Sequence, residues 1–408
     1  MAKTSLADLA LLGGVPAFAE PVHVGTPNIG DRARFLARVE DTLDRKWLSN
    51  GGPYVREFEQ RVAEIAGVRH CIATCNGTLG LEIAIRALDL KGEVIVPAFT
   101  FVATAHALQW QKITPVFCDI DPDTYLLDPD HVAGLITPRT TGILGVHLWG
   151  RPCPHEQLEA IARQHRLKLM YDASHAFGCT YHGQPVGSFG DMEVFSFHAT
   201  KFVNTLEGGA IVTNNDELAA KARLMKNFGF VNYDKVEHVG SNGKMNEVSA
   251  AMGLTSLESM DLFVAANRRN QAHYQKALAG IPGVHLLAYD EGERSNYQYV
   301  VLDMDESAAG ITRDELLRIL HAEKVLARRY FYPGCHRMEP YRSSFPNAGL
   351  LLPETERVAA RVLSLPTGSA VNAEQIDTIC QMIEFVCRNS AEVAGEVRKR
   401  PAPTALAA

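Results

Sequence analysis

Two residues whose types suit cofactor chemistry close or follow strongly apolar runs. Asp172 ends Leu167-Lys168-Leu169-Met170-Tyr171-Asp172, and Lys201 comes 29 residues later, behind Phe195-Ser196-Phe197-His198-Ala199-Thr200. In an open α/β sheet the carboxyl ends of the strands face the ligand crevice, so an aspartate there is either a structural cap or a ligand-holding carboxylate. A partly buried lysine is unusual because desolvation disfavours its charge, and the same burial suits an amine that condenses with a carbonyl. Its ordinary reading is a side chain that snorkels out past Ala199 and Thr200. Upstream, Cys75-Asn76-Gly77-Thr78-Leu79-Gly80 sits between a strand and a helix. Such a glycine turn presents backbone N–H groups at the positive end of a helix dipole, which suits a phosphate and is also a common connecting loop. Phe101, behind a further apolar run, is placed either to stack on a planar ring or to pack in the core.

Each signal alone has an ordinary explanation. Together they match what pyridoxal 5′-phosphate needs: an amine for its aldehyde, a carboxylate for its ring nitrogen, donors for its phosphate and an apolar face for its ring.

The elements that must position these residues follow from the hydrophobic pattern. Seven short apolar runs read as strands: 70–74, 93–97, 115–118, 142–147, 167–172, 193–197 and 209–213. Between them, stretches near 77–89, 101–111, 154–165 and 216–227 carry apolar residues at helical spacing. Alternation of this kind predicts an α/β fold with a mostly parallel central sheet flanked by helices. A long helical pattern at about 246–278 leads to a C-terminal part with a strand-like run at 297–302 and helices near 312–323 and 373–388, expected to form a smaller α+β domain. The expected organisation is an N-terminal segment at 1–54, a large cofactor-binding domain at 55–245, a linking helix at 246–282, a small domain at 283–390 and a mobile tail at 391–408.

Composition excludes other classes. With 408 residues, 46% hydrophobic and 21% charged, the chain reads as an ordinary soluble protein with more than one core. A net charge of −7 gives no electrostatic reason to bind nucleic acid. No secretory layout and no apolar run of membrane-spanning length is seen, and the eight cysteines form neither CxxC pairs nor zinc-spaced clusters. No metal site, no membrane partner and a reduced, cytoplasmic setting are expected.

Taken in order, many segments resemble the DegT/DnrJ/EryC1/StrS family of sugar aminotransferases, a branch of the fold-type I pyridoxal-phosphate enzymes. The resemblance runs from roughly 30 to 385. It is carried by Trp47-Leu48-Ser49-Asn50-Gly51-Gly52-Pro53 with Phe58-Glu59, by Asn76-Gly77-Thr78, and by Val96-Pro97-Ala98-Phe99-Thr100-Phe101-Val102-Ala103-Thr104. Pro115-Val116-Phe117-Cys118-Asp119-Ile120-Asp121, Val146-His147-Leu148-Trp149-Gly150, the Asp172 and Lys201 stretches and Gly240-Ser241-Asn242-Gly243-Lys244-Met245-Asn246-Glu247 continue it. The resemblance implies that Lys201 forms the Schiff base, Asp172 pairs with the ring nitrogen and Phe101 stacks on the ring. It also implies that Ser196 and the backbone at Gly77, Thr78 and Leu79 hold the phosphate. Where the family commonly has Gln, this chain has His175, within reach of the cofactor's phenolic oxygen by the same resemblance. Where many members have Arg after an Asn-aromatic pair, it has Asn242-Gly243-Lys244. Asn242 in the family reaches across to the partner's cofactor phosphate, which implies a homodimer with shared sites.

The implied reaction is a ping-pong transamination in which glutamate converts the cofactor to pyridoxamine phosphate, which then aminates a keto sugar. The stretches at 47–53, 242–245 and 327–334 look like members that aminate C4 of nucleotide-linked 4-keto-6-deoxyhexoses, with dTDP as the expected nucleotide. Trp47, Asn50, Lys244, Arg328, Arg329, Tyr332 and His336 are the expected substrate contacts, the four basic residues facing a diphosphate or, on the ordinary reading, solvent. The same cofactor residues would serve a 3-keto-sugar or cyclitol aminotransferase. A pyridoxamine-dependent sugar dehydratase carries histidine in place of the Schiff-base lysine, so Lys201 argues against it. A non-catalytic relative is the remaining alternative.

Overall fold

The computed structural model describes residues 3–400. All seven runs become strands of one sheet: β1 (His70–Thr74), β2 (Glu93–Pro97), β3 (Thr114–Cys118), β4 (Thr140–Val146), β5 (Lys168–Asp172), β6 (Met192–Ser196) and β7 (Gly209–Thr213). Their order is β1-β7-β6-β5-β4-β2-β3, with β7 antiparallel to both neighbours and every other pair parallel. The runs are apolar throughout because helices cover both faces of the sheet, leaving no solvent-facing alternation. Phe58, Ile95, Ile143, Tyr171 and Phe195 pack on one side, and Ile72, Leu81, Val96, Leu144 and Val194 on the other.

Helix α1 (Gly77–Ala87) starts where the Asn76 side chain accepts from the Leu79 N–H at 2.8 Å, and α2 (Val102–Gln109) starts at Phe101. Both helices therefore begin at the carboxyl edge of the sheet, the edge where Asp172 ends β5.

The helical pattern at 246–278 is two helices, α3 (Glu247–Glu258) and α4 (Met260–Ala277), parted at Ser259. At Ser259 the backbone leaves the helical region, with φ −103° and ψ 4°. Ser256 Oγ donates to the carbonyl of Asn204 at 2.9 Å, tying α3 to the loop after Lys201. The strand expected at 297–302 begins only at Val300 (Val300–Met304), because Tyr297 has a φ of 51° and breaks the extended run before it. This strand pairs with Val284–Leu286 and Val362–Leu365 in a three-stranded antiparallel sheet. A second core gathers there, with Tyr274, Leu302, Leu316, Ile319, Leu363 and Ile379 fully buried.

The expected mobile tail is not mobile at its start: Ser390–Arg398 is helical and buries Val393, Ala394 and Val397 in the second core. The apolar residues lie at three- and four-residue spacing across this short helix, a face hidden in sequence by flanking charges. Residues 401–408 of that tail lie outside the described residues.

The N-terminal segment is strapped to the second core. Glu323, fully buried, pairs with Lys3 at 2.9 Å and accepts from the Ala10 and Ala17 N–H groups, each at 2.7 Å. Val22 and His23 then pair in parallel with Val325 and Leu326, which delivers residues 24–28 to the carboxyl edge of the large sheet. A helix at Arg32–Arg45, absent from the sequence reading, follows the Asp31 cap. Among the described residues no helix is long and apolar enough to cross a membrane, and no group of three His, Cys, Asp or Glu is arranged to hold a metal ion.

Candidate active site

A cavity of about 420 Å³ opens at the carboxyl edge of the sheet, lined by both predicted chemical residues, Asp172 and Lys201. Gly77, Thr78, Phe101, His175, Ser196 and Arg328 line it too. Five of these eight, Asp172, Ser196, Gly77, Thr78 and Phe101, come from the ends of β strands or the starts of α1 and α2, as the fold dictates for an open α/β sheet.

Asp172 is 5% exposed. Its Oδ2 accepts from Thr104 Oγ1 at 2.9 Å and its Oδ1 from the Ser174 N–H at 3.1 Å, so both oxygens are aimed. Thr104 in turn meets Thr100 Oγ1 at 3.0 Å. Lys201 Nζ donates to Tyr299 Oη at 3.3 Å, and burial brings its pKa down to about 8 against the opposing pull of Asp172. The amine is thus readily available in its neutral, nucleophilic form near physiological pH.

His175 is buried, and burial together with the nearby Lys201 charge holds its pKa well below the usual range. Its Nδ1 accepts from the Trp149 N–H at 3.2 Å, which leaves the proton on Nε2 as a donor. The ring stacks on Phe331 at 5.7 Å, with planes 2° apart, and tilts against Tyr299 at 4.8 Å.

The phosphate end is a cup made by close backbone approach. A Cβ on Gly77 would stand 3.0 Å from Ser196 Cβ, so a side chain there would push the start of α1 and β6 apart. The Gly77 and Thr78 N–H groups, in the first turn of α1, face this cup without a helical partner. The Leu79 N–H does not join them, because the Asn76 cap already takes it, and Leu79 is not among the lining residues. Phe101 is 54% exposed at the cavity mouth, a ring with a free face. These residues fit pyridoxal phosphate: aimed carboxylate, buried amine, N–H cup with the Ser196 hydroxyl, and an aromatic face.

The expected substrate contacts divide. Arg328 lines the cavity, but Arg329 pairs with Asp314 at 3.1 Å and stacks on Tyr332 at 4.3 Å, with Arg313 on the same ring at 5.1 Å. His336 is buried and bonded to Glu356 at 2.7 Å, outside the cavity. Trp47 is exposed under Arg56. Asn50 and Lys244 line a separate smaller cavity with Arg223 and Lys226, and Lys244 Nζ donates to Asn227 and lies over Phe228. Asn242 is exposed and bridged to Asn227, away from its own chain's cavity. Within one chain, then, Arg328 is the sole member of this set that meets the cavity.

Sequence reasoning missed Thr104, Tyr299, Gln298 and the strap residues Val24, Gly25, Thr26 and Asn28, all on or behind the cavity wall. Thr104 had a signal, since it lies one turn beyond Thr100 at the start of α2. The strap residues come from a segment with no periodicity, and only the Val22–Val325 pairing brings them in.

A model of the DegT/DnrJ/EryC1/StrS aminotransferase family matches residues 30–384. Two similar proteins are the dTDP-4-amino-4,6-dideoxy-D-glucose transaminase of Shigella dysenteriae, 37% identical over 90% of this chain and 99% of that one, and the GDP-perosamine synthase of Caulobacter vibrioides, 36% identical over 90% and 98%. Among solved structures, DesI in the presence of its TDP-sugar product superposes with a TM-score of 0.93 at 52% identity, covering 97% of this chain and 100% of that one. With its site built for the cofactor and its length matched almost throughout, the chain belongs to the DegT/DnrJ/EryC1/StrS aminotransferase family and is a pyridoxal-phosphate-dependent aminotransferase.

Proposed function

We propose that the protein moves an amino group from glutamate to the C4 keto carbon of a nucleotide-linked 4-keto-6-deoxyhexose, with dTDP as the nucleotide. The observation that carries this reading is the 52% identity, over nearly the whole chain, with DesI, solved in the presence of its TDP-sugar product. The Shigella relative named for a dTDP-4-amino sugar points the same way.

Bound pyridoxal phosphate supplies an electron sink for the carbanion left when a proton is removed beside the amino group. Lys201 Nζ holds the cofactor and, once free, carries the proton away from the substrate carbon and back. Tyr299 Oη, in hydrogen-bond reach, steadies that amine. Asp172 keeps a proton on the ring nitrogen, with Thr104 and Ser174 fixing the carboxylate. His175 Nε2 offers a hydrogen bond toward the phenolic oxygen, Phe101 covers one ring face, and Gly77, Thr78 and Ser196 take the phosphate. Arg328 neutralises the anionic part of the substrate. Two chains share their sites, with Asn242 reaching the partner's phosphate cup; its exposure away from its own cavity supports that role. A reducing, cytoplasmic setting agrees with eight free cysteines.

The test is incubation with glutamate and a panel of 3- and 4-keto nucleotide sugars, followed by product mass and NMR. The expected product carries its new amine at C4 of a dTDP sugar; amination at C3, or of no 4-keto sugar in the panel, overturns the reading.

A further inference from the structure

Asn28 is 3% exposed and makes a hydrogen bond with every polar group that it turns inward. Its Nδ2 donates to the Phe202 carbonyl at 3.0 Å, and its own carbonyl accepts from Asn204 Nδ2 at 2.9 Å. Its Oδ1 accepts from Ser369 twice, from the N–H at 3.1 Å and from Oγ at 2.6 Å. One side chain and its carbonyl thereby join three segments far apart in sequence: the N-terminal strap, the loop directly after Lys201, and the turn at 367–369 that forms the opposite cavity wall.

The residue before Lys201 is held by the same strap. Gly25, at φ +79°, approaches so closely that a Cβ would stand 3.0 Å from Thr200 Cβ, and Gln298 Nε2 donates to the Thr200 carbonyl at 3.2 Å. The Lys201 loop is therefore gripped on both sides by residues that precede position 30, where the family match begins. Thr367 and Gly368 are themselves anchored, since Asn270 Nδ2 donates to the Gly368 carbonyl at 3.0 Å. A displacement of the 367–369 turn must pull on Asn28, and Asn28 pulls on Phe202.

We propose that Asn28 is a positioning residue that fixes the Lys201 loop against the 367–369 wall and so holds the lysine amine at its reacting position. The inference rests on the reading of Lys201 as the Schiff-base lysine. Reactions that depend on a fixed geometry lose about 100-fold for a misplacement near 1 Å. Asn28 lies on the cavity wall, and its side-chain nitrogen and oxygen are spent on Phe202 and Ser369, so its effect runs through the loop.

The experiment uses the holoenzyme of Asn28→Ala and of the milder Ser369→Ala, which removes only the 2.6 Å hydroxyl bond. Borohydride reduction and peptide mapping first locate the cofactor adduct. An adduct away from Lys201 in the unaltered protein overturns the lysine reading, and the inference about Asn28 with it. With the adduct on Lys201 in both variants, Asn28→Ala is expected to lower kcat by about 10- to 100-fold per bound cofactor, with KM for glutamate unchanged. The pH midpoint of the visible absorption band is expected to rise by about half a unit or more, because water admitted to a slackened loop relieves the desolvation of the charged nitrogen. Ser369→Ala shifts both quantities the same way by less. A fall in thermal stability alone, with kcat and midpoint unmoved, makes Asn28 a plain structural pin and overturns the proposal. Should Asn28→Ala not fold, an unchanged kcat and midpoint in Ser369→Ala overturn it equally.

Discussion

Replacing Asp172 with asparagine separates the charge of this residue from its shape. Both carboxylate oxygens now accept, one from Thr104 Oγ1 at 2.9 Å and one from the Ser174 N–H at 3.1 Å. An amide can keep its oxygen on Ser174 and turn its nitrogen toward Thr104, whose hydroxyl then accepts and passes its own proton to Thr100 Oγ1, 3.0 Å away. The hydrogen-bond count survives, so the structural cost is about 1 kcal/mol, the net worth of one rearranged bond. The chemical cost is larger, because a neutral amide cannot hold the ring nitrogen protonated. Removing a principal electrostatic contact from an active site costs about 10²- to 10³-fold in kcat, or about 2.7–4 kcal/mol. The assay is a single-turnover reaction with glutamate, normalised to cofactor content and accompanied by a melting curve. The expected result is a folded, cofactor-bearing protein with turnover at least 100-fold down, on the same scale. Near-native turnover per bound cofactor would refute the reasoning and leave Asp172 a structural cap.

Further outcomes follow from the same geometry. Because burial brings Lys201 to about 8, cofactor-free protein should take up added pyridoxal phosphate at a rate that rises with pH and levels off just above 8; a profile that climbs on toward 10.5 contradicts the depressed value. The sign for stability is the same, since between those pH values the unfolded chain binds more protons at this lysine and its contribution to folding grows as pH rises. His175→Gln should keep most activity, as the amide can still donate in place of Nε2, whereas His175→Phe should lose activity and about 1–3 kcal/mol of stability by leaving the Trp149 N–H without its acceptor. Equal kinetics in the two variants would remove His175 from the site. Glu323→Ala strips the partners of Lys3, Ala10 and Ala17 and should cost about 3 kcal/mol or more in denaturant titration, with earlier proteolysis within residues 3–19. Mixing inactive Lys201→Ala with inactive Asn242→Ala chains should restore activity, since one site of the mixed dimer keeps both residues. No recovery after confirmed subunit exchange, with both variants dimeric, would place Asn242 outside the partner's site.

The sequence by itself determined the seven strands, the helices at Gly77–Ala87, Val102–Gln109, His155–His165 and Asp216–Met225, and the placing of Asp172, Gly77 and Phe101 at strand or helix ends. These are local properties: an apolar run buried on both faces, a glycine or aromatic residue at a helix start, an aspartate ending a strand. It also determined the chemistry, because an amine, a carboxylate and an N–H turn have few joint uses. What it left open were the helix break at Ser259, the late start of Val300–Met304 and the helix at Ser390–Arg398, each decided by a contact with a distant partner or by a single φ. The substrate contacts show the limit most clearly. Arg328 and Arg329 are adjacent in sequence and alike in type, yet one lines the cavity while the other is drawn to Asp314 and Tyr332. His336 was expected among them but is buried against Glu356. Only tertiary structure decides such cases, because a side chain's charge says what it can bind, and the backbone around it says which of several partners it reaches first.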